Sequence, residues 1–333
     1  MTRPIRIVIN GFGRIGRTVL RQLLTDPCHG DIRIVAINDI APLDACAYLF
    51  RYDSAFGPFP APVTAQDGRL HVGDRSFDFW SCPDLRVRDL SGVDVVLECT
   101  GRAAARPVAQ AGLDAGAAAV LISGPSPAAD VTVVMGANDT ALGDARIVSN
   151  ASCTTNAIAP LLMALDTRLG IVRAHVTTIH CYTGSQPTID LPGPSPERSR
   201  AAAVSMVPTT TSAASQITQV LPQFMDRLTV AAVRVPVHSV SAIDAVLQME
   251  TLPDGDPNDL LRAICADVSV IGLTDDPCVS TDMRARAESL VLALPQTMVT
   301  GDGQLRVFGW YDNEWGFSAR MIAMMRQMHA RPT

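Results

Sequence analysis

The segment Arg6-Ile7-Val8-Ile9-Asn10-Gly11-Phe12-Gly13-Arg14-Ile15-Gly16 constrains the fold more than any other part of the 333-residue chain. Residues 6–10 read as a short buried strand. Gly11, Gly13 and Gly16 follow at once, and Val19, Leu20, Leu23 and Leu24 then recur at helical spacing. A second apolar run, residues 32–38, ends at Asp39. Strand, glycine turn, helix and strand make one βαβ unit. Its glycines permit a tight turn and close approach to a pyrophosphate resting on the helix N-terminus. An acid about twenty residues beyond the last glycine can accept hydrogen bonds from ribose hydroxyls and repel a 2′-phosphate. NAD is therefore the expected cofactor, and the competing reading is a glycine turn with a surface Asp39.

Further buried strands are expected at 93–99 and 119–123, with an Ala-rich helix over 103–118 between them. Strands alternating with helices imply a doubly wound parallel sheet. Beyond residue 153 the pattern changes. Residues 176–180, 228–237, 240–250 and 305–311 alternate apolar and polar side chains, as half-buried antiparallel strands do, and helices are expected at 212–221 and 257–268. The expected fold class is α/β: a Rossmann sheet over 1–152 and an α+β catalytic domain with a mostly antiparallel sheet over 153–316. A C-terminal helix, 317–333, is expected to pack back on the first domain, its Met321, Met324, Met325 and Met328 stripe serving as packing. Length alone favours two domains.

A net charge of −6 argues against a dedicated nucleic-acid binder. No apolar segment is long enough to span a bilayer, and "MTRPIRIVIN" runs straight into a strand pattern, so a cytoplasmic protein without a membrane partner is expected. All 27 strong cations are arginine. Lysine Schiff-base chemistry is excluded, and a fixed anion site must use Arg, hydroxyls or backbone N–H groups. None of the 8 cysteines forms a C-x-x-C pair, so no metal site is expected.

One cysteine stands apart. In Ser149-Asn150-Ala151-Ser152-Cys153-Thr154-Thr155-Asn156 it lies among small polar residues at the mouth of an apolar periodic run. Either it is a core cysteine beside an N-cap, or it is a nucleophile. Ser149 or Ser152 can cap the helix, and the positive helix end is expected to lower the thiol pKa and offer donors to an oxyanion. Of the 6 histidines, His180 is the best partner, because it ends a strand before a polar turn. Cys181 should face the opposite side and be core. NAD with a cysteine nucleophile suggests aldehyde oxidation: Cys153 adds to give a thiohemiacetal, His180 takes the proton, and hydride loss leaves a thioester.

"INGFGRIGR", "AIND", "YLFRYDSAFG", "SNASCTTN", "TTIHCYTG", "RAAAVSMVPTTT", "RVP" and "WYDNEWGFS" occur in order along the whole chain, which resembles the glyceraldehyde-3-phosphate dehydrogenase family. The resemblance implies Cys153 as nucleophile and His180 as base. It implies the Arg14 and Ile15 backbone on the pyrophosphate with Gly11, Gly13 and Gly16, Asp39 on the adenosine ribose, Ser123 near the nicotinamide and Asn313 on its carboxamide. Leu191-Pro192 matches NAD-preferring members. A substrate phosphate would be held by Thr183 and Arg234. Inorganic phosphate would be held by Ser152, Thr211 and Arg198, with Thr154 and Ser212 in the same group. Without the resemblance, Arg234 could be a strand-end surface arginine.

The implied partners are a phosphorylated aldehyde and inorganic phosphate, and the implied assembly is a homotetramer with the 191–200 loop between subunits. Departures from the family pattern fall near the anion sites. Ser212 replaces a glycine, Glu197 precedes Arg198, Pro187 replaces a basic residue, "RVPVHSVS" replaces "RVPTPNVS", and Phe317 replaces a tyrosine. An erythrose-4-phosphate dehydrogenase, a paralogue for another phosphorylated aldehyde and a catalytically silent redox-sensing protein are the alternatives.

Overall fold

The computed structural model describes residues 3–193 and 195–331. Met1, Thr2, Pro194, Pro332 and Thr333, which fall within the expected segments 1–152, 191–200 and 317–333, lie outside the described residues. The chain divides into two compact units. The first comprises residues 3–133, 140–151 and 318–331, and the second residues 134–139 and 152–317.

The first unit is built on a nine-stranded sheet. From one edge its strands are Val131–Thr132, Ile147–Ser149, Ala119–Ile122, Val95–Glu98, Ile5–Asn10, Ile32–Asn38, Arg75–Trp80, Arg69–Val72 and Val63–Gln66. The first seven run parallel, and the last two add antiparallel. This is the Rossmann sheet expected from the sequence, with a small meander at one edge that the apolar runs did not announce. Helix Arg14–Thr25 buries Val19, Leu20 and Leu23. The Ala-rich helix spans only Arg106–Asp114, with Pro107 in its first turn. It stops because Gly116 has φ +105°, a left-handed conformation that ends a helix. Ala109 and Ala111 join Val8, Val96, Val120 and Ile147 in one core cluster.

The second unit carries an eight-stranded sheet, in the order Val207–Thr209, Leu228–Val235, Ile171–Cys181, Ser241–Met249, Gln304–Tyr311, Leu290–Ala293 and Ile271–Thr274, with Met298–Thr300 paired to Gln304–Tyr311. Most pairs are antiparallel. Two are not. Ile171–Cys181 runs parallel to Leu228–Val235, and Ile271–Thr274 runs parallel to Leu290–Ala293. The expectation that 176–180 and 228–237 belong to an antiparallel pattern is corrected on this point. Alternation of side chains is the same in both directions, and helix Ala213–Val220 provides the crossover that a parallel pair needs. The register sets Arg234 beside His180.

The C-terminal helix spans Trp315–His329. Met321, Met324, Met325 and Met328 are all buried, so the methionine stripe is packing. No helix among the described residues is long and apolar enough to cross a membrane.

Candidate active site

The glycine turn sits where the strand order reverses, between Ile5–Asn10 and Val95–Glu98, which is where open α/β sheets bind ligands. Gly11 has φ +97°, and a Cβ there would lie 2.5 Å from the Cys99 carbonyl carbon. Gly16 packs on the Gly11 carbonyl, so a side chain at either position would break the turn. Gly13 caps the helix without a side-chain bond, and its Cβ direction is open. The N–H groups at a helix start have no partner within the helix, and Arg14 and Ile15 are the first two residues of this one.

A cavity of about 400 Å³ is lined by Gly11, Gly13, Asp39, Thr100 and Arg102 among others. Asp39 is fixed by accepting from the Phe12 N–H at 2.6 Å and the Ala41 N–H at 2.8 Å. Beneath it, Asn38 donates to Asn10 Oδ1 at 2.7 Å, and Asn10 donates to the buried Glu98 carboxylate. Ser123, half-buried, follows strand Ala119–Ile122, its N–H on the Glu98 carbonyl at 2.9 Å. The Arg14 side chain turns away to Asp53, 2.6 Å. The cradle, the acid and the cavity fit a dinucleotide.

In the second unit, Cys153 is the first residue of helix Cys153–Leu169, and Ser152 is its N-cap, accepting from Thr155 N–H at 3.1 Å. Ser149, the other candidate cap, is not one. Its hydroxyl is fully buried in the first unit and donates to the Gly124 carbonyl. The chain enters the helix through Ala151, whose φ of +54° is a left-handed conformation costing roughly 1–2 kcal/mol for a residue with a Cβ.

Cys153 Sγ lies 3.6 Å from His180 Nε2. His180 is buried at the end of its strand. Its Nδ1 is 2.7 Å from the Cys181 carbonyl oxygen and 2.5 Å from Arg234 Nη1. Tyr311 stands edge-on to the imidazole, its hydroxyl bonded to Thr178 at 2.7 Å and Thr154 at 3.0 Å. The thiol pKa departs from the expectation of a lowered value. Burial pushes it up, and Arg234 and Thr154 pull it down by less. Burial, and then Arg234, lower His180 to about 3.

The residues assigned to anions have the following partners. Arg234 lies on the imidazole, while Thr183, in the following loop, bonds Ser185 at 3.0 Å. Arg198 donates to Thr209 and Thr210 hydroxyls at 2.9 and 2.5 Å, directly before Thr211, whose own hydroxyl accepts from Ala213 N–H. Glu197 is turned to Ser195 and not to Arg198. Thr154 keeps its hydroxyl inside, on Tyr311. Leu191 is exposed.

Sequence reasoning missed Gln216. Its Oε1 accepts from Ser152 N–H and the Thr155 hydroxyl, each at 3.0 Å, and its Nε2 donates to Ser212 Oγ at 2.5 Å. One buried amide thus ties Ser152 to Ser212. The only signal was a glutamine on the apolar face of helix Ala213–Val220. The sequence reading also gave no role to Tyr311 or to the Cys181 thiol, which with Ser241 donates to Asn313 Oδ1 at 3.2 and 3.1 Å.

Together these parts define the class: an NAD-dependent dehydrogenase. Residues 5–106 match the family model for the NAD binding domain of glyceraldehyde 3-phosphate dehydrogenase, and residues 152–313 match that for its C-terminal domain. The chain is 42% identical over 321 residues to glyceraldehyde-3-phosphate dehydrogenase of Cereibacter sphaeroides, covering 95% of this chain and 96% of that protein. It is 43% identical to that of Xanthobacter flavus, with 95% and 96% covered, and 44% identical to that of Pseudomonas aeruginosa, with 96% of each covered. The chain belongs to the glyceraldehyde-3-phosphate dehydrogenase family, and its cofactor is NAD.

Proposed function

We propose that the chain oxidises glyceraldehyde 3-phosphate to 1,3-bisphosphoglycerate, with NAD as oxidant and inorganic phosphate as acyl acceptor. The observation that carries this reading is the 3.6 Å Cys153–His180 contact at a helix N-terminus, with Arg234 beside it.

His180 Nε2 takes the thiol proton as Cys153 Sγ adds to the aldehyde carbon, and returns that proton to the new alkoxide oxygen, giving a neutral thiohemiacetal and a free imidazole. N–H groups of the first turn of helix Cys153–Leu169 stabilise the developing oxyanion. His180 then removes the hydroxyl proton as the carbon is oxidised to a thioester. When bound, NAD supplies the hydride acceptor. The Gly11–Gly16 turn, Asp39, Ser123 and Asn313 would hold it. Phosphate at Ser152, Thr211 and Arg198 attacks the thioester carbon, expelling the Cys153 thiolate and releasing an acyl phosphate. Thr183 and Arg234 hold the substrate's own phosphate with charge-assisted bonds. A cytoplasmic homotetramer fits this reading, with the exposed Ile189 and Leu191 side chains supporting a subunit contact.

The test is NADH formation from glyceraldehyde 3-phosphate, with and without inorganic phosphate, beside the same assay with erythrose 4-phosphate. Strong phosphate stimulation supports the reading. Equal rates without phosphate, or a preference for erythrose 4-phosphate, would assign a hydrolytic erythrose-4-phosphate dehydrogenase instead.

A further inference from the structure

The turn that follows helix Arg14–Thr25 brings three different metal-binding side chains together. In Asp26-Pro27-Cys28-His29, Asp26 caps the short helix Pro27–His29, its Oδ1 accepting from the Cys28 N–H at 2.9 Å. Cys28 Sγ and Asp26 Oδ2 each lie 3.9 Å from His29 Nε2. The carboxylate is too far from that nitrogen for a hydrogen bond. Among the described residues these three form the one group of His, Cys, Asp or Glu side chains whose donor atoms all lie within 4.8 Å of one another. No C-x-x-C pair marks the cluster in the sequence, because only one of its donors is sulfur.

The gap between the donors has the size of an ion. Zinc bonds nitrogen and oxygen at about 2.0 Å and thiolate sulfur at about 2.3 Å, which in a tetrahedron sets the donors about 3.3–3.5 Å apart. The separations from Nε2 need to close by about half an ångström, and Asp26 and Cys28 are exposed, so their side chains have room to move. Charge balances too. A divalent ion is neutralised by the Asp26 carboxylate and the Cys28 thiolate, while Asp31 is matched by Arg326, which bonds it at 2.6 and 3.1 Å. Burial and Arg326 hold His29 below its ordinary pKa, so the imidazole is neutral and has a lone pair to give. Arg326 Nη2 lies within 3.1 Å of three acceptors, the Cys28 carbonyl, Asp31 Oδ1 and His29 Nδ1, but carries only two hydrogens. It can release Nδ1 and keep both oxygens, which lets Nδ1 carry the imidazole proton while Nε2 binds the ion.

We propose that Asp26 Oδ2, Cys28 Sγ and His29 Nε2 bind one zinc ion, with water in the fourth position, closing the turn between helix Arg14–Thr25 and strand Ile32–Asn38. The Cys28 thiol proton passes to solvent as the sulfur–metal bond forms. The site is independent of the reaction proposed for Cys153.

The experiment is a cobalt(II) titration of the full chain carrying Cys153→Ser, which removes the thiol of the other cysteine–histidine contact. After chelator treatment, cobalt should produce a near-ultraviolet thiolate-to-metal band and the visible bands of a tetrahedral ion, saturating at one ion per chain. Zinc should abolish them by displacement. Adding Cys28→Ser should eliminate the thiolate band. Adding His29→Gln or Asp26→Asn should each weaken binding at least about tenfold, the least that an outer partner of a metal ligand is worth. A Cys153→Ser chain that develops no band at any cobalt concentration leaving it folded overturns the proposal. So does a band that survives Cys28→Ser, which places the ion on another cysteine. A band indifferent to His29→Gln or to Asp26→Asn overturns it as well, because the three-donor site is then not what binds.

Discussion

Cys153 Sγ and His180 Nε2 meet at 3.6 Å although 27 positions separate them in the chain. A helix start and a strand end deliver them, and each is fixed locally: the helix by Ser152, the strand by its pairing with Leu228–Val235. Cys153→Ser should abolish NADH formation. His180→Asn should lower kcat by about 10²–10⁴-fold, the usual worth of a positioned general base. Steady-state kinetics of the two variants test this, and a His180→Asn enzyme with unaltered kcat would remove the histidine from the reaction.

His180 also makes stability depend on pH. Its folded pKa of about 3 lies below its ordinary value, 6.5, because burial disfavours the charged ring. Between these two values the unfolded chain binds a proton that the folded chain does not, so stability falls as pH drops below about 6.5. The loss approaches 1.4 kcal/mol per pH unit. Urea titrations from pH 7 to pH 4 should show the parent chain losing more stability than His180→Asn. Parallel profiles would contradict a neutral buried imidazole.

Gln216→Ala removes partners from the Ser152 N–H, the Thr155 hydroxyl and Ser212 Oγ together. Each buried group left without a partner costs about 1–3 kcal/mol, so Tm should fall by several degrees. If the bridge shapes the phosphate pocket, KM for inorganic phosphate should rise while KM for NAD stays the same. A variant less stable but with unchanged phosphate KM would make Gln216 a packing residue only.

Asp39 binds the Phe12 N–H at 2.6 Å and turns its charge toward the cavity that the glycine turn lines. Asp39→Ala should lower the ratio of kcat/KM for NAD over that for NADP by at least about tenfold, near 1.4 kcal/mol. The ratio is measured directly with the two cofactors, and an unchanged value would place the selectivity elsewhere.

The Rossmann half was legible because Gly11, Gly13 and Gly16 answer steric demands that no other residue meets, and because buried parallel strands are continuous apolar runs. The parallel pairing of Ile171–Cys181 with Leu228–Val235 was not legible, since side-chain alternation carries no direction. The edge strands Val63–Gln66, Arg69–Val72 and Arg75–Trp80 are short and mixed in polarity, and left no clear period. At the site, the small polar neighbours of Cys153 signalled a helix mouth. They did not reveal that burial outweighs the helix end in setting the thiol's pKa. Gln216 and Tyr311 reach Thr155, Thr178 and Thr154 across 61 to 157 positions, which no local pattern encodes.

In the proposed reaction Cys153 carries the acyl group and phosphate removes it. Intact-mass and peptide-mapping measurements of enzyme mixed with glyceraldehyde 3-phosphate and NAD, without phosphate, test it most directly. A phosphoglyceryl adduct is expected on the peptide containing Cys153, discharged on adding inorganic phosphate and never formed in Cys153→Ser. An adduct on another residue, or one that persists unchanged in phosphate, would contradict it.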